Sequence, residues 1–187
     1  MIKGNHLNTL TTDQVGIFRD QGYFVARGVF DSHEIDRLKE GYDYITTLVE
    51  RGGIDPQYLT GKGREVHIHV QAPSGADESE SVTYLRKVQW PSMIHPAFEE
   101  IRNSSKFVDL VRPLIGDSLK QYINQINFKM PGGDIAFPWH QDIRPTPAFR
   151  EQEVNYVQTV IVVDEATIEN GCLHVIPESH KLGNLKV

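Results

Sequence analysis

The sequence has little of several features that mark particular classes of protein. One cysteine among 187 residues, Cys172, excludes a disulfide within the chain and is typical of a reducing compartment. No apolar run approaches the ~20 residues that a membrane-spanning helix requires. The first residues also lack the apolar stretch of a secretory signal. We therefore expect a cytoplasmic protein that has no membrane partner.

An excess of basic charge is missing as well. The chain has 19 Lys and Arg residues against 25 Asp and Glu residues, a formal net charge of -6. A nucleic-acid-binding protein needs a basic surface to neutralise phosphates, so the charge balance argues against a nucleic-acid partner. A chain of this length suits one domain with a hydrophobic core, which we expect to extend over residues 1–187.

Helices are predicted in the first part of the chain, residues 1–118. Capping-box spacing at Thr11 and Asp31 predicts two helix starts. Helical periodicity between Pro96 and Ile115 predicts two shorter helices that meet near Ser104.

The pattern changes to period two after Leu119. Tyr122, Ile126 and Phe128 share one predicted strand face, and Gln125, Asn127 and Lys129 share the opposite face. Three further strands are predicted from β-branched and aromatic runs, namely Tyr23–Phe30, Val154–Val163 and residues 172–176 after the turn Asn170-Gly171. Helices followed by strands favour an α+β fold or a helix-flanked β-barrel.

The segment FPWHQD, residues 137–142, contains the most informative pair of side chains. His140 and Asp142 are two residues apart, so on an extended segment they point the same way with Cα atoms ~6.6 Å apart. An imidazole and a carboxylate, with one further histidine, form the facial triad of non-haem Fe(II) oxygenases. The alternative is a histidine held by a carboxylate hydrogen bond in a loop.

Four segments together resemble the phytanoyl-CoA dioxygenase family: KVQ (87–89), NFKMPGG (127–133), FPWHQD (137–142) and ENGCLHVIPESHKLG (169–183). The resemblance implies a mainly β, double-stranded β-helix (jelly-roll) core flanked by N-terminal helices, with residues 119–187 as the first part of that core. It also implies a non-haem Fe(II)/2-oxoglutarate-dependent dioxygenase. Such an enzyme uses O2 to hydroxylate a small organic substrate and releases succinate and CO2.

The resemblance also assigns roles to particular residues. It implies that His140 and Asp142 are the first two iron ligands and that Lys87 and Gln125 contact 2-oxoglutarate. Asn127 is a further candidate because it shares the predicted strand face of Gln125.

The chain departs from the family pattern in two places. Glu178 occupies a loop position where the family usually has glycine, so we expect the local turn to differ. The family's third ligand, a histidine, and its 2-oxoglutarate-binding arginine come well after the SHK segment, whereas this chain ends at Val187. We interpret His174 and His180 as structural turn residues. We therefore expect a truncated version of a longer enzyme, without its C-terminal strands; a complete chain of this length would lack oxygenase activity.

Two alternative functions remain open. One is a non-catalytic binding module of the same fold that has lost iron. The other is a cupin-type metalloprotein that uses the pair His67 and His69, although no glutamate follows at the cupin spacing. Three further residues lie within or near the FPWHQD segment and could contact an anionic substrate: Trp139, Arg144 and Arg150.

Overall fold

The computed structural model describes residues 9–52, 59–61, 64–71, 84–130, 137–142, 156–183 and 185. Helices α1 (Thr12–Gln21) and α2 (Ser32–Glu50) begin at the predicted capping boxes, where the side chains of Thr11 and Asp31 each accept a backbone N–H. Helix α1 ends at Gly22, whose φ of 82° is the left-handed conformation that glycine adopts without strain.

Helices α3 (Pro96–Arg102) and α4 (Ser105–Ile115) confirm the prediction of two short helices. Ser104 separates them, and its hydroxyl accepts the N–H of Lys106 at the start of α4. A short 3-10 helix, Pro91–Met93, precedes α3. None of the helices in the described part of the chain has both the length and the apolar character that crossing a bilayer requires.

Two antiparallel sheets lie between and after the helices. Strands β1 and β2 form a two-stranded sheet, and β4 is the middle strand of a three-stranded sheet with β3 and β5. Their bounds are Leu59–Gly61 (β1), Arg64–Val66 (β2), Ile68–Gln71 (β3), Tyr84–Gln89 (β4) and Gln125–Asn127 (β5). The larger sheet thus takes strands from both sides of residue 118.

The core lies between one face of the three-stranded sheet and helices α2 and α3. Ile68, Val88 and Ile126 are direct neighbours across the three strands and are only 5%, 0% and 6% exposed. Leu38 and Ile45 of α2 belong to the same buried cluster, together with Phe98 and Ile101 of α3. Helices α2 and α3 therefore cover one face of the sheet, and the opposite face does not pack against this core.

Several predicted strands are wrong within the described residues. Tyr23–Phe30 contains no strand, and the period-two pattern after Leu119 gives a strand only at Gln125–Asn127. Residues 156–163 and 172–176 also pair with no strand. Strand propensity reflects packing against cross-strand neighbours, and these segments have none in the described part of the sheet.

The apolar residues on both faces of the run Val154–Val163 predict a buried strand, and this prediction of burial is wrong for the described residues, 156–163. Ile161 and Val163 pack against the core, whereas Val160 and Val162 are 60% and 61% exposed. Only the turn at Asn170-Gly171 is confirmed in this region, since Cys172 donates to the carbonyl of Thr167 across it.

Candidate active site

His140 and Asp142 converge as their spacing predicts. Their side chains are 55% and 50% exposed, and Nε2 of His140 lies 3.4 Å from Oδ1 of Asp142. Nδ1 of His140 lies 2.8 Å from the carbonyl oxygen of Pro138. A carbonyl can only accept, so Nδ1 carries the hydrogen, and Nε2 of the neutral ring is left as an acceptor.

This geometry is compatible with one metal ion held by both side chains. In the neutral tautomer two acceptor atoms face each other, and their separation of 3.4 Å is long for a hydrogen bond. Divalent ions bind imidazole nitrogen and carboxylate oxygen at about 2.0–2.2 Å, so one ion reaches both atoms. The contact to Pro138 would orient the ring, as outer contacts of metal ligands commonly do. Within the described ranges, no third histidine, cysteine or carboxylate joins the pair.

Gln141 ties residues 137–142, here called the ligand segment, to a distant part of the chain. Its Nε2 donates to the carbonyl of Gly183 at 3.0 Å, and its Oε1 accepts the N–H of Leu185 at 2.8 Å. The amide nitrogen and the amide oxygen of Gln141 thus both have hydrogen-bond partners. The residue between the two proposed ligands is thus held by the stretch that follows the 3-10 helix Ser179–Leu182.

That 3-10 helix is itself attached to the end of α1. Nε2 of His180 donates to the carbonyl of Arg19 at 2.9 Å, and the N–H of Glu178 donates to the carbonyl of Gln21 at 2.9 Å. These contacts satisfy carbonyls at a helix C-terminus, which otherwise lack partners. These contacts agree with the interpretation of His180 as a structural residue, and the roles of His180 and of His174, which is exposed, stay predictions.

Glu178 corrects the expectation that its turn differs from a glycine turn. Its φ is 63°, so the chain keeps the left-handed geometry although a glutamate occupies the position. The Glu178 carboxylate and Asp20 both contact the Lys181 ammonium, at 2.7 and 2.6 Å. Lys181 lowers the pKa of Asp20, mainly through this hydrogen bond. These contacts hold the strained residue in place.

The three predicted cosubstrate residues lie on the sheet face opposite the core. Lys87 of β4 is paired directly with Asn127 of β5, and Gln125 is paired with Gln89. Residues that are directly opposite in antiparallel strands share a face, so these four side chains are neighbours. Gln89 was not identified from the sequence, although its spacing from Lys87 in KVQ is the alternation of a strand.

The histidine pair His67 and His69 extends the same face across β3. His69 is paired with Lys87, and the N–H of Gln89 donates to the carbonyl of His67. The two imidazole rings lie on one side of the strand with centroids 6.3 Å apart. We call the resulting array of two rows the polar face: His67, Gln89 and Gln125 in one row and His69, Lys87 and Asn127 in the other.

Contacts near Arg86 and Asp142 connect the ligand segment with the sheet. The guanidinium of Arg86 in β4 lies 4.7 Å from the ring centroid of Phe137.

Tyr156 lies near the ligand segment. Burial raises the pKa of Tyr156, and the negative charge of Asp142 raises it further. Trp139 is 54% exposed, while Arg144 and Arg150 lie outside the described residues. The structure thus brings Lys87, Gln125 and Asn127 together, and separately His140 and Asp142. The Arg86–Phe137 contact joins β4 to the ligand segment.

Comparison with known proteins is consistent with these observations. The family model described as phytanoyl-CoA dioxygenase (PhyH) matches residues 18–186. The chain belongs to this family. The resemblance seen in the four sequence segments is thereby confirmed. No solved structure matched the chain.

Similar curated proteins have names that specify both reactions and substrates. The chain is 27% identical over 164 residues to a "Probable alpha-ketoglutarate-dependent hypophosphite dioxygenase" of Stutzerimonas stutzeri, covering 88% of this chain and 51% of that protein. It is 28% identical over 177 residues to a "Methylphosphonate hydroxylase" of Gimesia maris, covering 95% and 60%. A shorter match, 40% over 67 residues, covers 35% of this chain and 24% of a "2-aminoethylphosphonate dioxygenase" from an uncultured bacterium. The chain therefore spans about half to three-fifths of the first two relatives.

Proposed function

We propose that the protein is a non-haem Fe(II)/2-oxoglutarate-dependent dioxygenase that hydroxylates a small organic substrate. The observation that carries the proposal is the His140–Asp142 pair, whose tautomer and 3.4 Å separation suit two ligands of one ion. Family membership and the relatives named as 2-oxoglutarate (alpha-ketoglutarate) enzymes support it. We further propose that residues 1–187 belong to one oxygenase domain and that the three-stranded sheet is part of a jelly-roll core.

The side chains of this chain would bind the metal and the cosubstrate. Nε2 of His140 and Oδ1 of Asp142 would hold the iron. When bound, iron supplies the activation of O2 and the oxidative decarboxylation of 2-oxoglutarate to succinate and CO2. On the polar face, the Lys87 ammonium would pair with a carboxylate of 2-oxoglutarate, because a charge-assisted hydrogen bond is stronger than a neutral one. The amides of Gln125 and Asn127 would donate further hydrogen bonds.

Succinate formation from 2-oxoglutarate tests the proposal. We expect residues 1–187, in a protein that also carries the family's third ligand and arginine, to form succinate only with Fe(II). Asp142→Ala should reduce the rate at least a hundredfold, since the change removes the anionic ligand. His140→Ala should behave in the same way. Asp117→Ala, at an 89% exposed carboxylate next to α4, and His33→Ala, at an exposed histidine of α2, are matched controls.

Folding of the variants is checked by circular dichroism and thermal unfolding. Because His140 and Asp142 are half exposed, neither variant should lower the unfolding temperature appreciably. Succinate formation that persists in Asp142→Ala or His140→Ala would show that the pair does not hold the iron. Binding of 2-oxoglutarate without any succinate formation would instead favour the non-catalytic binding module.

A further inference from the structure

The β3 side of the polar face carries two imidazoles that the proposed cosubstrate site does not use. His69 lies directly opposite Lys87, and His67 lies opposite Gln89. All of these side chains project from one side of a sheet whose other side is buried, with Ile68 only 5% exposed. The backbone pairing therefore holds the two histidines beside the lysine.

Basic side chains neighbour these histidines on the polar face, which favours an anion as ligand. The pKa of His69 is lowered, first by desolvation and then by the positive charges of Lys87, His67 and Arg86. A positive potential at the imidazole opposes a divalent cation, which argues against the cupin alternative for this pair. The same potential favours a negatively charged group that accepts hydrogen bonds from imidazole and ammonium N–H groups.

The polar face is wider and longer than one small anion. Neighbouring strands are about 4.8 Å apart, so the face is about 10 Å wide from β3 to β5 and about 6.6 Å long between rows. If 2-oxoglutarate occupies the β4–β5 side with Lys87, Gln125 and Asn127, a second ligand would contact the β3 side, which carries His67 and His69.

We propose that the β3 side of the polar face is a substrate subsite, in which His67 and His69 bind the oxyanion of a small phosphonate. This rests on the proposed function, since the oxyanion is assigned to the substrate of that reaction. The names of three similar proteins support the ligand class, because hypophosphite, methylphosphonate and 2-aminoethylphosphonate are all phosphorus oxyanions. A phosphonate presents three oxygens in a tetrahedral array, so two imidazoles and a neighbouring amide can each donate to a different oxygen.

Binding of methylphosphonate to the full chain tests the subsite without any need for catalysis. By NMR titration, methylphosphonate should raise the pKa of His69, because an adjacent anion favours the imidazolium form. By calorimetry, His69→Ala should weaken methylphosphonate binding about ten- to a hundredfold, the effect of losing a hydrogen bond to a charged group. His69→Gln keeps a donor and should retain part of the affinity. His33→Ala, on α2 and away from the sheet, should have no effect.

Two comparison ligands test whether binding requires a charged phosphonate and whether the histidines contact 2-oxoglutarate instead. Dimethyl methylphosphonate keeps the tetrahedral phosphorus but is uncharged and carries two additional methyl groups on its oxygens, so it should not bind. 2-Oxoglutarate should bind His69→Ala and the unaltered chain within about twofold, since we assign it to the Lys87 side. The proposal is overturned if His69→Ala weakens only 2-oxoglutarate, which would make the histidines part of the cosubstrate site. It is also overturned if methylphosphonate changes the imidazole NMR signals of neither His67 nor His69 and binds all variants with equal affinity.

These results are independent of the test of the proposed function. Succinate formation that survives Asp142→Ala, together with His69-dependent methylphosphonate binding, would refute the iron assignment and leave the oxyanion subsite in place. If Asp142→Ala loses succinate formation and His69→Ala binds methylphosphonate with unchanged affinity, the oxygenase assignment stands and the subsite is refuted.

Discussion

The polar face and the ligand segment are held in place by different means. Lys87 and Asn127 project from paired strands whose opposite side is a buried row of apolar side chains. His140 and Asp142 are half exposed on a segment without regular structure, and Gln141 provides its hydrogen bonds to residues 183 and 185. The difference suggests that the anion-binding side chains are preorganised by backbone pairing, whereas the proposed iron ligands depend on a few side-chain contacts.

Among substitutions that keep His140 and Asp142, the largest effect is expected on the polar face. Lys87→Met should raise the Michaelis constant for 2-oxoglutarate about ten- to a hundredfold, because it removes a charge-assisted contact of about 1.5–3 kcal/mol. Steady-state succinate formation measures the change, and Lys120→Met, at an exposed lysine outside the sheet, is the control. An unaltered Michaelis constant in Lys87→Met would show that the cosubstrate does not bind there.

A smaller effect is expected at the ligand segment. Gln141→Ala removes both hydrogen bonds to residues 183 and 185, so His140 and Asp142 should be positioned less precisely. We expect Fe(II) affinity to fall about tenfold, which is typical for the loss of a supporting contact at a metal site. Anaerobic Fe(II) titration measures this, with the unfolding temperature recorded in parallel.

Gln121→Ala is the matched control for Gln141, because Gln121 is exposed and contacts Arg102 away from the ligand segment. Equal Fe(II) affinity in Gln141→Ala and the unaltered protein would mean that the bridge to residues 183 and 185 does not position the ligands.

The smallest effect concerns the core behind the polar face. A Cβ on Gly41 of α2 would lie 2.7 Å from the Phe98 ring of α3, so Gly41→Ala should destabilise the protein by about 1 kcal/mol. Gly16 of α1 has nothing within 4 Å of the same position, and Gly16→Ala should stabilise by about 0.5–1 kcal/mol through helix propensity. Urea denaturation measures both changes. Equal effects of the two substitutions would contradict the close packing of α2 on α3.

The helices could be predicted because their signals are local. The capping boxes at Thr11 and Asp31 and the break at Ser104 each involve residues within one helical turn. The segment Tyr23–Phe30 carries an equally clear β composition but forms no strand, since a strand exists only with a hydrogen-bonded partner. Composition alone does not contain that information.

The candidate site was predictable only where its residues are close in the sequence. His140 and Asp142 are two residues apart in the sequence, and their side chains converge to 3.4 Å. The pairing of His69 with Lys87 and of Lys87 with Asn127 depends on strand register across 18 and 40 positions, which a single sequence does not specify. For the same reason Gln141 gave no sequence signal, because its partners lie at residues 183 and 185.

We propose that the ligand segment and the polar face serve one site, and linkage between Fe(II) binding and 2-oxoglutarate binding tests this proposal. Calorimetric affinity for 2-oxoglutarate would be measured anaerobically with and without Fe(II), in the unaltered protein and in Asp142→Ala. If both regions contact the same cosubstrate, Fe(II) should tighten 2-oxoglutarate binding at least tenfold in the unaltered protein, a coupling of about 1.4 kcal/mol or more. Asp142→Ala should abolish that coupling while leaving the metal-free affinity unchanged. Identical 2-oxoglutarate affinities with and without Fe(II) in the unaltered protein would contradict the claim.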